Sequence, residues 1–290
     1  MPVPEDEAAL LSLAEDTARA AGDLVAAMLT RAPAQVTSTK SSRSDVVTSA
    51  DRAAERLIRE RLTAARPGDG FLGEEGGWRP GNSGVVWVVD PIDGTVNYLY
   101  GIPAYAVSIA ATLADSSTLS TGDTSGPAAS ATRVVAGVVH NPSAGETWTA
   151  RRGNGAHLDG RRVRVSDCAD PAQALVATGF GYESARRAGQ AEVLRRVLPA
   201  VRDIRRIGAA ALDLCAVATG RVDAYYERGL QLWDLAAGRL VATEAGAVVE
   251  GLHGAAPSGD LVLAAGPALF PALHDLLAAL GADRDGAPDG

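Results

Sequence analysis

Cysteine, lysine and aromatic residues are all scarce in this 290-residue chain, and each scarcity narrows what the protein can be. The two cysteines, Cys168 and Cys215, make no disulfide framework and lack the spacing of a zinc site. Aromatics form 4% of residues, so a core must come from Ala, Val and Leu within the 47% hydrophobic total. No stretch reaches the roughly eighteen uncharged apolar residues that cross a bilayer. The best run, LVLAAGPALFPALHDLL at 261–277, is broken by Pro, His and Asp. Basic residues number 27 against 35 acidic ones, a net charge of −8. That balance argues against a nucleic-acid partner and against an anionic membrane surface. The opening MPVPEDE lacks the basic start of a secretory signal, so a soluble, cytoplasmic protein is expected.

Lysine is the sharpest shortage. Of the 27 basic residues one is lysine, Lys40, and the rest are arginine. A compact ammonium differs from a planar guanidinium, so a lone surviving lysine is a candidate functional residue. It lies in TSTKSSRSD (37–45), a polar stretch with the composition of a mobile loop.

Apolar residues at 11, 14, 18, 21, 25 and 28 mark one face of a helix over 5–29. Thr48-Ser-Ala-Asp51 fits a capping box opening a second helix, whose apolar face runs 50, 53, 54, 57, 58 and 62. Runs at 71–73, 85–89, 105–114 and 133–140 read as strands. The last two are joined by an excursion at 115–132 with almost no apolar content. ETWTARRGNGAHLDG (146–160) reads as a hairpin. After about Val165 strands and helices alternate, with helices over 184–198, 208–219, from Asp234 through TEAG, and 268–280. One compact unit in two halves is expected. Residues 1–165 read as α+β with an antiparallel-rich sheet, and 166–290 as α/β.

Three places set an acid at an abrupt turn after an apolar run: Gly73-Glu74-Glu75-Gly76-Gly77, Asp90-Pro-Ile-Asp93-Gly94-Thr95 and Trp233-Asp234. Taken singly, Glu74 and Glu75 read as a solvated turn, Asp234 as a helix cap, and Asp51 as part of its capping box. Asp90 and Asp93 resist that treatment. Pro91 stiffens the backbone between them and Gly94 reaches conformations other residues avoid, which sets both carboxylates on one lip of a strand end. If the acids converge, two carboxylates about 4 Å apart repel by about 4 kcal/mol at an effective dielectric of about 20. Several can share a site only by protonating or by binding a cation. Hard oxygens without His or Cys favour Mg²⁺ or Mn²⁺ over Zn²⁺. Two ions so bridged clamp the attacking and leaving oxygens of a phosphoryl displacement. The amides of Gly94 and Thr95 can seat a phosphate oxygen, and the Thr95 hydroxyl, tied to Asp51, can orient an attacking water.

These residues resemble those of the inositol monophosphatases, within the lithium-sensitive, metal-dependent phosphatase superfamily. The resemblance spans roughly Ala8 to Leu280 and rests on four blocks in order: SDVVTSAD, GEEGG, WVVDPIDGTVNY and GAAALDLCAVATGRVDAYYERGLQLWDLAAG. It implies a layered αβαβα sandwich of the inositol monophosphatase and fructose-1,6-bisphosphatase type. It implies Glu74, Asp90 and the Ile92 carbonyl as ligands of a first ion, Asp90, Asp93 and Asp234 as ligands of a second, and Glu74 with waters for a third. Most ligands thus fall in the 1–165 half, with Asp234 and the substrate pocket in 166–290. The implied cofactor is Mg²⁺, two or three ions, with Mn²⁺ able to substitute and Li⁺ inhibitory. Thr95 with Asp51 resembles the family's water-activating pair, and Glu74 is a further catalytic position. Asp93, Gly94 and Thr95 match phosphate-binding positions, while Gly208, Ala209, Ala210 and Glu227 match the alcohol side. Lys40 falls where the family carries a lysine near its metals. A homodimer is implied as well. Two departures stand out: Ala209 where many relatives carry Ser or Thr, and an excursion at 115–132 longer than the family pattern.

The expected activity is hydrolysis of myo-inositol monophosphate to myo-inositol and phosphate, by in-line attack of a metal-activated water. The partner is then a small-molecule phosphate ester. Alternatives are the same chemistry on histidinol phosphate, fructose 1,6-bisphosphate or a 3′-phosphoadenosine nucleotide, or an idle regulatory protein on this scaffold.

Overall fold

The computed structural model describes residues 6–31, 36–39, 46–114 and 132–284. The amphipathic N-terminal stretch forms α1 (Glu7–Arg31), which buries Leu10, Ala14, Ala18 and Ala21. In α2 (Ser49–Ala65) the buried face is Ala50, Asp51, Ala54, Glu55, Ile58 and Leu62. Ala53 and Leu57, expected on that face, are only half-buried. The helix is therefore rotated so that two acids face inward.

The polar stretch before α2 is not simply a loop. β1 (Val36–Thr39) pairs antiparallel with β2 (Val46–Thr48), so residues 37–39 are strand. Lys40 lies outside the described residues, as does the excursion at 115–132 except for Thr132.

The larger sheet uses β3 (Gly70–Gly73), β4 (Gly77–Arg79), β5 (Val85–Asp93), β6 (Ala106–Ala114), β7 (Thr132–Asn141), β8 (Glu146–Arg151), β9 (Ala156–Leu158) and β10 (Arg161–Arg162). Their order is β10-β9-β8-β7-β6-β5-β3-β4, antiparallel throughout except that β3 runs parallel to β5. The smaller sheet uses β11 (Leu175–Thr178), β12 (Asp203–Arg205), β13 (Ala224–Glu227), β14 (Val248–Glu250) and β15 (Val262–Ala265), in the order β12-β11-β13-β15-β14. Helices α3 (Thr95–Leu99), α4 (Ser184–Val197), α5 (Ala210–Ala218), α6 (Leu232–Glu244) and α7 (Phe270–Ala279) complete the described α-helices.

Strand alternation builds the layers. On β5, Val85, Trp87 and Val89 pack with α1 and α2, whereas Val86 and Val88 pack with Ala211, Cys215, Ala237 and Val241 of α5 and α6. On β13, Tyr225 packs with Leu214 and Leu235 of that same helix pair. Its neighbours Ala224 and Tyr226 pack with Val193, Val197, Leu273 and Leu277 of α4 and α7. The result is helix, sheet, helix, sheet, helix. Being sandwiched between two sheets explains why all nine residues of α5 are buried.

Close approach of α1 to the large sheet depends on Gly22. A Cβ there would lie 2.5 Å from Cδ2 of His140, whose Nδ1 is held 2.9 Å from the Thr147 hydroxyl. Gly22→Ala is expected to destabilise the fold by about 1–3 kcal/mol, the usual result of overpacking. A denaturant midpoint equal to the parent's would show that the ring gives way freely.

Candidate active site

β5 does not end at Val89. Its pairing with β6 continues to Asp93 opposite Ala106, with a register shift between Asp90 and Asp93. The two acids therefore stand on the strand itself, at a bulge, where Pro91 removes no needed ladder donor. Glu74 arrives from the neighbouring strand. Gly73 pairs with Val89, and the Glu74 amide donates to the Val89 carbonyl at 3.1 Å. Asp234 is the third residue of α6, where its Oδ2 accepts the Gln231 amide at 2.7 Å and closes a capping box.

Three elements thus deliver carboxylates to one place. Glu74, Asp90 and Asp234 each bring an oxygen within 4.8 Å of the others. Burial first, and then Glu74, Asp93 and Asp234, push the Asp90 carboxyl well above the usual range, and it shares a hydrogen bond with Glu74. Asp234 is raised in the same way, by burial and then by Glu74 and Asp93. Oxygen-only donors so crowded are tolerable when protonated or when a hard cation lies among them. The residues present fit a divalent ion.

Asp93 is not one of the three acids whose oxygens meet within 4.8 Å. Its oxygens accept the Ala210 amide at 3.2 Å and the Ala211 amide at 2.6 Å, at the start of α5. Burial still pushes it up to about 7 despite those donors, with Glu227 and Glu74 adding to the rise. Gly94 follows with φ +91° as the residue before α3. A Cβ there would sit 2.9 Å from the Ala104 carbonyl oxygen, so the chain can turn here only as glycine.

The Thr95 hydroxyl lies 3.1 Å from Asp51 Oδ1 and 3.0 Å from the Ile92 carbonyl oxygen. Asp51 is fully buried, and its Oδ2 accepts the Thr48 amide at 2.8 Å and the Thr48 hydroxyl at 2.5 Å. Burial pushes its carboxyl up to about 6. Asp51 communicates with the site through Thr95.

A cavity of about 390 Å³ opens over these groups, lined by Glu74, Asp90, Asp93 and Thr95 together with Arg206, Gly208 and Glu227. Glu227 ends β13, and its Oε2 accepts the Tyr225 hydroxyl at 2.7 Å while burial pushes it up to about 7. Gly208 and Ala210 line the cavity, but Ala209 does not. It is 2% exposed and packs in the core beside Gly94, so its side chain is structural. Sequence reasoning missed Arg206, one arginine among many, which offsets part of the rise at Glu227. It also missed Glu55, buried one helical turn after Asp51. The signal was available, because residues four apart on a helix share a face.

The model of the inositol monophosphatase family matches residues 6–121 and 128–283. An inositol-1-monophosphatase of Mycobacterium leprae is 48% identical over 245 residues, covering 81% of this chain and 78% of its own. A protein of Pasteurella multocida named Nus factor SuhB is 38% identical over 261 residues, 88% of this chain and 91% of its own. Among solved structures, the extragenic suppressor protein suhB of Bartonella henselae superposes with a TM-score of 0.81 at 37% identity, over 93% of this chain and 98% of that one. The five-layer sandwich is the fold of these neighbours. The chain belongs to the inositol monophosphatase family, and it is a phosphatase.

Proposed function

We propose that the enzyme is a Mg²⁺-dependent phosphomonoesterase hydrolysing myo-inositol monophosphate. The observation that carries this reading is that Glu74, Asp90 and Asp234, from three separate elements, share one cavity with Thr95, whose hydroxyl is tied to the buried Asp51. Glu74, Asp90, Asp93, Asp234 and the Ile92 carbonyl would hold the ions. Bound Mg²⁺ supplies Lewis-acid stabilisation of the charge on the phosphoryl group.

The chain's own groups do the positioning. The Thr95 hydroxyl donates to Asp51 and turns a lone pair toward the attacking water. Asp51, raised to about 6 by burial, is basic enough to take a proton relayed through that hydroxyl. The amides of Gly94 and Thr95 receive a phosphate oxygen, and the cavity orients the ester for in-line attack. In the same cavity Glu227, fixed by Tyr225, accepts hydrogen bonds from ring hydroxyls. Gly208 and Ala210 leave room for the ring. Ala209 contributes no contact to it. By family resemblance the enzyme is a homodimer, accepts Mn²⁺ and is inhibited by Li⁺.

Phosphate release measured with Mg²⁺ on inositol 1-phosphate, histidinol phosphate, fructose 1,6-bisphosphate and 3′-phosphoadenosine 5′-phosphate tests the substrate. We expect kcat/KM to favour inositol 1-phosphate over histidinol phosphate by at least about tenfold, since a site built to bond ring hydroxyls rejects an alcohol lacking them. Equal or better turnover of histidinol phosphate would withdraw the inositol assignment.

A further inference from the structure

Glu55 is a buried acid that neither the ion cluster nor the Thr95–Asp51 pair uses. It is 3% exposed on α2, a depth glutamate reaches only with compensating partners. Those partners are the amides of the turn carrying Glu74. Glu55 Oε2 accepts the Glu75 amide at 2.8 Å, and the Gly76 amide donates to the same carboxylate. Arg59, one turn further along α2, supplies a balancing positive charge. The two glycines that bracket Glu74 and Glu75 lie against this carboxylate: a Cβ at either Gly73 or Gly76 would collide with it. From the other side, the Glu74 amide is tied to Val89 of β5. Glu74 is therefore gripped before and after its Cα, by a strand and by a carboxylate.

We propose that Glu55 is a positioning residue of the ion site. It holds the 73–76 turn in the conformation that sends the Glu74 carboxylate toward Asp90 and Asp234, and so sets divalent-ion affinity, leaving the chemical step to others. The inference rests on the reading that those three acids hold the ions. A carboxylate suits the task because it accepts from two amides at once, and each such bond is charge-assisted. Glu55 does not line the cavity, so its charge serves the backbone of the turn. α2 then carries both orienting acids one turn apart, Asp51 for Thr95 and Glu55 for Glu74.

Glu55→Gln in the full-length protein tests this, because an amide oxygen accepts but its NH₂ faces the second N–H. Mn²⁺ binding is measured by calorimetry without substrate, alongside the Mg²⁺ dependence of turnover and the metal-free melting temperature. The expected result is Mn²⁺ affinity about tenfold weaker or more, typical of a lost ligand-orienting partner. kcat at saturating Mg²⁺ should stay within about twofold of the parent, since the assembled site is unchanged. Gly76→Ala is the second variant: its φ is not positive, and its methyl displaces the Glu55 carboxylate without removing it. It should weaken Mn²⁺ in the same direction, and it decides the matter if Glu55→Gln does not fold. Folded variants with parental Mn²⁺ affinity, or with kcat reduced at unchanged affinity, would overturn the proposal. Asp90→Asn separates the two readings. If it too leaves Mn²⁺ affinity untouched, the ion site itself is wrong; if it abolishes binding while Glu55→Gln does not, only the role of Glu55 falls.

Discussion

Asp93→Asn is expected to lower Mg²⁺-dependent phosphate release from inositol 1-phosphate by about 10³-fold or more, while the metal-free melting temperature moves by only a few degrees. The loss in rate follows from removing one anionic oxygen from a site whose work is to hold cations against developing charge. The small effect on melting follows from two opposing changes. Asn keeps one acceptor for the amides of Ala210 and Ala211 and turns NH₂ toward the other, leaving a buried N–H poorly satisfied at about 1–3 kcal/mol. The same change removes a carboxylate that Glu227 and Glu74 repel, a relief of comparable size. Steady-state kinetics and thermal melts of one preparation check both halves. Turnover within tenfold of the parent would mean that these acids are not the site.

The stabilisation conferred by Mg²⁺ is expected to grow steeply with pH. In the metal-free protein Asp51 titrates at about 6, Asp93 and Glu227 at about 7, and Asp90 and Asp234 above their usual range. Every one of these is raised above its value in the unfolded chain. Their contribution to stability is therefore fully present below about pH 4 and is lost as pH rises through 6 to 7 and beyond. A cation among the carboxylates removes that penalty and displaces their protons, so it has most to give where they are ionised. His140 works the other way, since burial lowers it and acid destabilises the fold as it protonates. Its effect is common to both forms and cancels when melts with and without Mg²⁺ are subtracted. The difference in melting temperature should be near zero at pH 5 and at least about 5 °C at pH 8 with saturating Mg²⁺. A shift of equal size at both pH values would mean the ion binds away from the acid cluster.

How much of this was readable in advance varied by element. Helix periodicity located α1 and α2, and β-branched runs located β5 to β7, because both signals are local. DPIDGT announced its two acids as functional, but the strand was expected to stop at Val89. The continuation to Asp93 rests on pairing with β6 across a bulge, which involves residues 106–108 as much as 90–93. Arg206 was missed because an arginine among 26 carries no local mark, and Glu55 because its i,i+4 spacing from Asp51 shows a shared face but not what that face meets. Only the turn at 73–76 and the cavity wall reveal what they face.

By itself the order of residues determined which groups are available: an all-oxygen donor set, a threonine next to a glycine that can turn, and apolar runs of the right lengths for a layered α/β core. Whether those donors meet was decided by tertiary structure alone. Glu74, Asp90 and Asp234 stand up to 160 positions apart, and only the stacking of α6 against the large sheet brings them within 4.8 Å. The physical reason is that periodicity and turn chemistry act over a few residues, while the proximity that makes a carboxylate hold a cation is a property of packed layers.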